Sequence, residues 1–368
     1  MKGRVSRTPR RRDALSGLVG VAGLAGAGMA VGVASARAGE GRWRVRRLVD
    51  RPIIAPGMDS RMGDNIEGPS LIRAPDWLPG RLGRYYLYFA DHKGDYIRLA
   101  YADRLEGPWT VHAPGSLDLA QSGFPTVRQS GSPEAEAKLL QGAGPNRAPP
   151  GTPGIPSPLD DATLPHIASP DVHVDHERRR IVMYHHGLSA FTQQRTRVAI
   201  SMDGVSFRPL GETLGPAYMR VFPHAGQTYA MAMPGIFLRS PDGFAPFEVG
   251  PRLFGIDQRH SALLQRGDTL HVFWTRVGDA PERIYVSDID ISGDWAGWKA
   301  GPPVEVLRPE RPWEGAGLPL VPSYRSAINL PANQLRDPAI YEEGGRVYMV
   351  YAVQGERGLG IVELGLPA

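Results

Sequence analysis

The sequence has no cysteine among its 368 residues, which excludes disulfides, thiolate metal sites and a lipoprotein anchor on sulfur. Hardly any segment carries the 3.6-residue apolar period of an amphipathic helix. No glycine-rich loop follows a strand and opens a helix, so a nucleotide cofactor is not expected. No cluster of carboxylates or imidazoles has dedicated metal-ligand spacing, and no metal is assigned. A basic tract is missing from most of the chain as well. The formal charge is +4, but residues 1 to 38 hold seven Lys/Arg and one Asp, so the remainder carries −2. That balance gives no reason to expect a nucleic-acid partner.

The N-terminus reads as an address label. Residues 2 to 12 are basic, and Arg11-Arg12-Asp13-Ala14-Leu15 follows the twin-arginine pattern. An uncharged stretch rich in Gly and Ala runs from Ala14 to Ala36, and Ala36-Arg37-Ala38 supplies the small residues that a signal peptidase needs. The expectation is a twin-arginine-type signal peptide over residues 1–38 and a periodic, mature domain over residues 39–368. The mature protein is expected to be periplasmic or secreted, with no stable membrane insertion after cleavage. A protein exported in the folded state has no use for disulfides formed afterwards, in keeping with the missing cysteines.

Glycine (45) and proline (35) are plentiful, which points to many turns. Between the turns lie short runs rich in β-branched and aromatic residues, and they recur in a fixed order five times. Unit one opens at Glu67-Gly68-Pro69-Ser70, continues through Tyr85–Phe89 and Ile97–Ala102, and closes at Trp109. Unit two opens at Ser169-Pro170-Asp171, unit three at Tyr218-Met219-Arg220, unit four at His260-Ser261-Ala262 and unit five at Asp337-Pro338-Ala339. Five units of three to four strands predict an all-β, five-bladed β-propeller. Its last unit lacks a fourth strand, and Trp43-Arg44-Val45 is the natural donor that closes the ring. Two segments break the period, a Pro/Gly-rich insertion at residues 113–165 and a second stretch at residues 299–335. Loops of that length are functional lids or disordered, and both precede an opening strand.

In a propeller the opening strand of each blade lines the central channel. The opening residues are Glu67, Asp171, Arg220 with His224, His260, and Arg336 with Asp337, and they are expected to converge on one funnel. Gathering such groups costs desolvation that apolar sheets do not need, so they mark a site. His92 and His186 occupy matching places after the second strands of units one and two and are expected on its rim.

The motifs Glu67-Gly68-Pro69, Ser169-Pro170-Asp171 and Arg336-Asp337-Pro338, with the segment Arg51-Pro52-Ile53-Ile54 before them, resemble those of glycoside hydrolase family 43. The resemblance spans roughly residues 50 to 365. It implies cleavage of a glycosidic bond by three acidic residues in the funnel: a base, an acid, and a third that tunes the acid. Glycosidic cleavage needs a protonated group at the leaving oxygen and an ionised one facing the sugar. The implied catalytic residues are Glu67, Asp171 and Asp337, with His92, His186, Arg220, His224, His260 and Arg336 holding a carbohydrate substrate. The third unit departs from the family pattern, since no acidic residue stands at its start. Some relatives use a histidine as acid, which makes His224 and His260 candidates. No cofactor is implied beyond a channel calcium or sodium ion of the kind some relatives carry. Alternatives are a non-catalytic sugar-binding propeller, or a phosphorylase or transglycosylase in which Arg220 and Arg336 hold phosphate.

Overall fold

The computed structural model describes residues 43–141 and 146–366, and the expected signal peptide at residues 1–38 lies outside them. The described residues form five four-stranded antiparallel sheets. Blade one holds β2 to β5 (Glu67–Arg73, Tyr85–Ala90, Tyr96–Ala102, Thr110–Asp118), following β1 (Arg44–Arg47) in the chain. Blade two holds β6 to β9 (Ile167–Asp175, Arg180–Ala190, Gln193–Ser201, Arg208–Pro216), and blade three β10 to β13 (Arg220–His224, Gln227–Ala232, Ile236–Ser240, Glu248–Arg252). Blade four is β14 to β17 (Gln258–Arg266, Thr269–Arg276, Ile284–Asp290, Val304–Leu307). Blade five is β18 to β20 (Arg336–Glu343, Arg346–Ala352, Leu359–Gly365), completed by β1. The pairs Arg44 with Gly365 and Arg47 with Val362 close the ring as the sequence predicts.

The core is divided among the blade interfaces. In β3 every residue from Tyr85 to Ala90 is buried, because successive side chains point to opposite faces and each face meets a neighbouring blade. Tyr86 and Tyr88 pack with Ile181 and Met183 of blade two. Leu87 and Phe89 pack with Val350 and Ile361 of blade five. Trp109, Trp274 and Trp298 are buried at such interfaces.

Four of the five inner strands carry an irregularity at the same level. The ladder shifts register between Glu67 and Ser70, Ala168 and Asp171, Arg259 and Ser261, and Arg336 and Ala339. Within each shift one residue takes a positive φ: Gly68 (59°), Ser169 (46°), His260 (42°) and Asp337 (47°). Tyr218 (61°), just before β10, takes the same place in blade three. Pro69, Pro170 and Pro338 follow directly, and proline is tolerated there because a bulge needs no N–H from it. Gly68 must be glycine, since a Cβ would lie 2.7 Å from the Ser169 Cα. For Ser169, His260 and Asp337 the left-handed backbone is strained and must be held by its surroundings.

The insertion at residues 113–165 is more ordered than its composition predicts. Its first residues extend β5 to Asp118, and α1 (Pro133–Gln141) and α2 (Pro158–Thr163) follow. Ser157 caps α2 by accepting from the Asp160 N–H at 3.0 Å. Among the described residues, no helix is long and apolar enough to cross a membrane.

Candidate active site

The bulges place their residues at one end of the channel, under a cavity of about 260 Å³. Arg259 and His260 contribute from β14 and Tyr218 from just before β10, with His92 from the β3–β4 turn. Gln194 and Met233 come from blades two and three, Asp161 from α2, and Arg325 and Ser326 from the second long loop. Both period-breaking segments therefore wall the pocket. Tyr218 is sandwiched, its ring 4.1 Å from that of His186 and 5.4 Å from that of His260.

Beneath the cavity sits a buried charge cluster. Arg336, with no exposed surface, donates to Glu356 at 2.6 Å and to Gln334 at 2.6 Å, and lies 3.3 Å from Glu282. Glu356 also accepts from Asn65 at 2.8 Å and lies 3.3 Å from His92 Nδ1. Arg259 donates to the Tyr324 carbonyl at 2.8 Å and stands 3.6 Å from Glu282. Burial acts to raise the Glu356 carboxyl, but His92, Arg336 and Arg259 outweigh it and hold it far below the usual carboxylate range. Glu356 is thus an ionised, saturated anchor.

Asp337 and Glu67 are the opposite case. Both are fully buried. Burial first, and the charge of Glu356 second, push the Asp337 carboxyl up to about 7 against Arg259, His92 and Arg336. Neither of its oxygens accepts a hydrogen bond from a described residue, although Oδ1 lies 3.2 Å from His260 Nδ1. Among the described residues, Glu67 accepts only from the Ser169 hydroxyl, at 2.9 and 3.2 Å. Burial, then Asp337 and Glu356, raise it well above its ordinary value. Burial and the nearby guanidiniums of Arg259 and Arg336 keep His260 neutral. On the wall, Asp161 is held in its ionised form: burial opposes the charge, but Lys93, 2.9 Å away, and His92 stabilise it. Lys93 and the Ser326 hydroxyl both engage Asp161 Oδ1, and Oδ2 accepts no hydrogen bond from a described residue.

The expected single funnel is divided in two. Asp171 stands past the bulge of β6 and, with His173 and Arg220, lines a separate cavity of about 130 Å³ that shares no lining residue with the first. Burial opposes its charge, yet His173 at 2.8 Å, Arg220 and the Val221 N–H keep it ionised. Arg220 reaches across the channel to the carbonyls of Pro170 (2.6 Å) and Ser261 (2.9 Å), so it stitches blades together. Arg336 is likewise consumed by protein acceptors, and neither guanidinium is placed to hold phosphate. His224 packs on Tyr229 and Trp298, away from the pocket. His186 lies behind Tyr218, fully buried, whereas His92 and His260 do line the cavity. Asp64 pairs with Arg357 at 3.0 Å, in the open. Glu356, Glu282, Arg259 and Asp161 escaped the sequence reading. Glu356 sits in the turn after β19, and no motif marks it.

No protein-family model matches the chain. An uncharacterized protein of Acanthamoeba polyphaga mimivirus is 35% identical over 321 residues, covering 80% of this chain and 82% of the viral one. The chain belongs to that protein's family. Among solved structures, a GH43 β-xylosidase/α-arabinofuranosidase from a compost microbial metagenome, in complex with xylotriose, is similar with a TM-score of 0.50. It shares 12% identity and covers 88% of this chain and 96% of its own. BT0996, in an RGII complex, is similar with a TM-score of 0.52 at 10% identity, over 88% of this chain and 93% of its own. At such identity the likeness is one of fold: this chain shares the five-bladed propeller of those structures.

Proposed function

We propose that the protein is a glycoside hydrolase that works on a carbohydrate outside the cytoplasm, after export through its twin-arginine-type leader. One observation carries the reading. A group that holds a proton near neutral pH, the His260–Asp337 couple, and a group held ionised, Asp161, belong to the same cavity. Two groups in opposite protonation states at one pH are what acid/base cleavage of a glycoside requires. His260 lines the pocket, so it delivers the proton to the leaving oxygen while Asp337 behind it replenishes that proton. Asp161 takes a proton from the water that attacks the anomeric carbon. The glycosidic C–O bond breaks, the water oxygen bonds to that carbon, and one proton moves from couple to leaving group as another passes to Asp161. A pocket walled by both long segments suits the end of a chain, hence exo-action. No cofactor is invoked.

Turnover of a panel of aryl glycosides and oligosaccharides by the unmodified chain and by Asp337→Asn tests the reading. The expected loss is on the order of 10²–10⁴-fold, the usual contribution of a general acid. Unchanged turnover in the variant removes the couple from the mechanism. A second reading, a sugar-binding propeller without turnover, is favoured by the complete burial of Glu67 and Asp337. Binding of a sugar by the unmodified chain with no product formed would decide for it.

A further inference from the structure

The charges around the cavity do not cancel. In the buried cluster Arg259 and Arg336 are matched by Glu282 and the ionised Glu356, and Asp337 and Glu67 are held toward their neutral forms. On the wall, Asp161 is matched by Lys93. Arg325 is left over. It lines the main cavity and also an adjoining one of about 60 Å³ beside Arg147 and Pro149–Thr152. Its guanidinium donates to the Ile256 carbonyl and approaches Met233 Sδ at 3.7 Å. No carboxylate among the described residues lies within ion-pairing distance of it, and a guanidinium has five donors to satisfy. Asp257, the acid nearest in the chain to Ile256, is already paired with Arg276 at 3.3 Å. Burial first, then repulsion from Arg259 and Arg147, outweigh the longer-range attraction of Glu282 and Asp257 and pull the Arg325 guanidinium below its ordinary value.

The backbone holds Arg325 in place. Its N–H donates to the Asn146 carbonyl at 2.8 Å, and Ser323 exchanges hydrogen bonds with Gly278 and Asp279 at 3.1 and 3.0 Å. A cation fixed in a half-buried wall without a partner is a standing cost, removed when an oxyanion occupies the pocket. The planar fork of arginine suits a carboxylate or sulfate better than a neutral hydroxyl.

We infer that Arg325, supported by Arg147, is a specificity-determining residue that selects a sugar bearing an acidic substituent. The inference rests on the proposed carbohydrate-active pocket and names its substrate class: a uronic acid, or a sugar sulfate presenting the same oxyanion.

Calorimetric binding to the full chain carrying Asp337→Asn compares galacturonic acid with galactose, glucuronic acid with glucose, and galactose 6-sulfate with galactose. At least tenfold tighter binding of an acidic sugar, weakened by added salt, is expected. Arg325→Gln should close that gap, Arg325→Lys should retain part of it, and the exposed Arg147→Gln should narrow it, with thermal melts confirming that each variant folds. A gap for the sulfate alone, closed by Arg325→Gln, supports the inference and names the sulfate ester as the group. Equal binding of acidic and neutral sugars, or a gap that survives Arg325→Gln, overturns it. Failure of the hydrolase reading looks different: no glycoside is turned over by the unmodified chain while the acid-over-neutral gap persists.

Discussion

His260 Nδ1 lies 3.2 Å from Asp337 Oδ1, and both residues sit at positive φ in adjacent inner strands, 42° and 47°. Neither carboxylate oxygen of Asp337 accepts a hydrogen bond from a described residue. A fully buried acid with unfilled acceptors and a strained backbone is an expensive arrangement for a fold to keep. Its neighbour is the imidazole that lines the pocket, so the cost falls where chemistry would use it.

Asp337→Asn is therefore expected to stabilise the protein at neutral and higher pH while removing its activity. The Asp337 carboxyl is raised from 3.8 to about 7, so between those values the folded state holds a proton that the unfolded state has lost. Stability then falls as pH rises through that window and does not recover above it. Asparagine removes this dependence. The variant should gain a few kcal/mol over the unmodified chain at pH 8 and little at pH 4, as thermal or urea unfolding at the two pH values would read. An equal difference at both would show that Asp337 does not titrate in this window.

Glu356→Gln should act in the other direction. It removes the carboxylate that Arg336 holds at 2.6 Å and leaves a fully buried guanidinium ion-paired, among the described residues, with Glu282 alone. Breaking a buried pair from one side costs about 3–5 kcal/mol. Because the Glu356 carboxyl is depressed, its contribution is present above the ordinary carboxylate value and is lost as pH falls. The gap between the two proteins should be widest near neutrality and shrink in acid. Denaturant melts across that range check both size and sign.

The repeat of turns and strands was open to reading because each blade buries both faces of its central strands, and that leaves dense apolar runs such as Tyr85–Ala90. Even the bulges left a trace, in Pro69, Pro170 and Pro338. What the repeat concealed is the effect of the bulge on direction. An extra residue changes which side chains share a level, so Ser169 meets Glu67 while Asp171, two residues on, belongs to the other cavity. Glu356 and Asp161 lie in a turn and in an insertion, where no period predicts a neighbour. Their role follows from long-range packing against Arg336 and Lys93, separated by 20 and 68 residues.

Asp171→Asn should consequently leave turnover within a few-fold of the unmodified chain. The side chain opens on the cavity of about 130 Å³, which shares no lining residue with the pocket. Its loss removes the 2.8 Å contact to His173 and weakens acceptance from the Val221 N–H, so a lower melting temperature is expected instead. Initial rates on whichever glycoside the unmodified chain cleaves would check this. A loss comparable to that of Asp337→Asn would restore the single funnel predicted from sequence.

Ring closure offers a test independent of chemistry. Trp43 precedes β1 and is buried against blade four, edge-on to Phe273 at 5.1 Å and to His271 at 5.3 Å. Through β1 it ties the first described strand to β20, the last. Trp43→Ala removes a large ring from a close-packed site, a change that costs about 3–5 kcal/mol. The loss falls on the seam, so β1 should open before the other blades do. Amide exchange of β20 residues paired with β1, among them Leu364 and Val362, should accelerate more than exchange of β3 on the central strands of blade one. Uniform acceleration across both would mean that the ring unfolds as one unit and that its closing strand is no weaker than the rest.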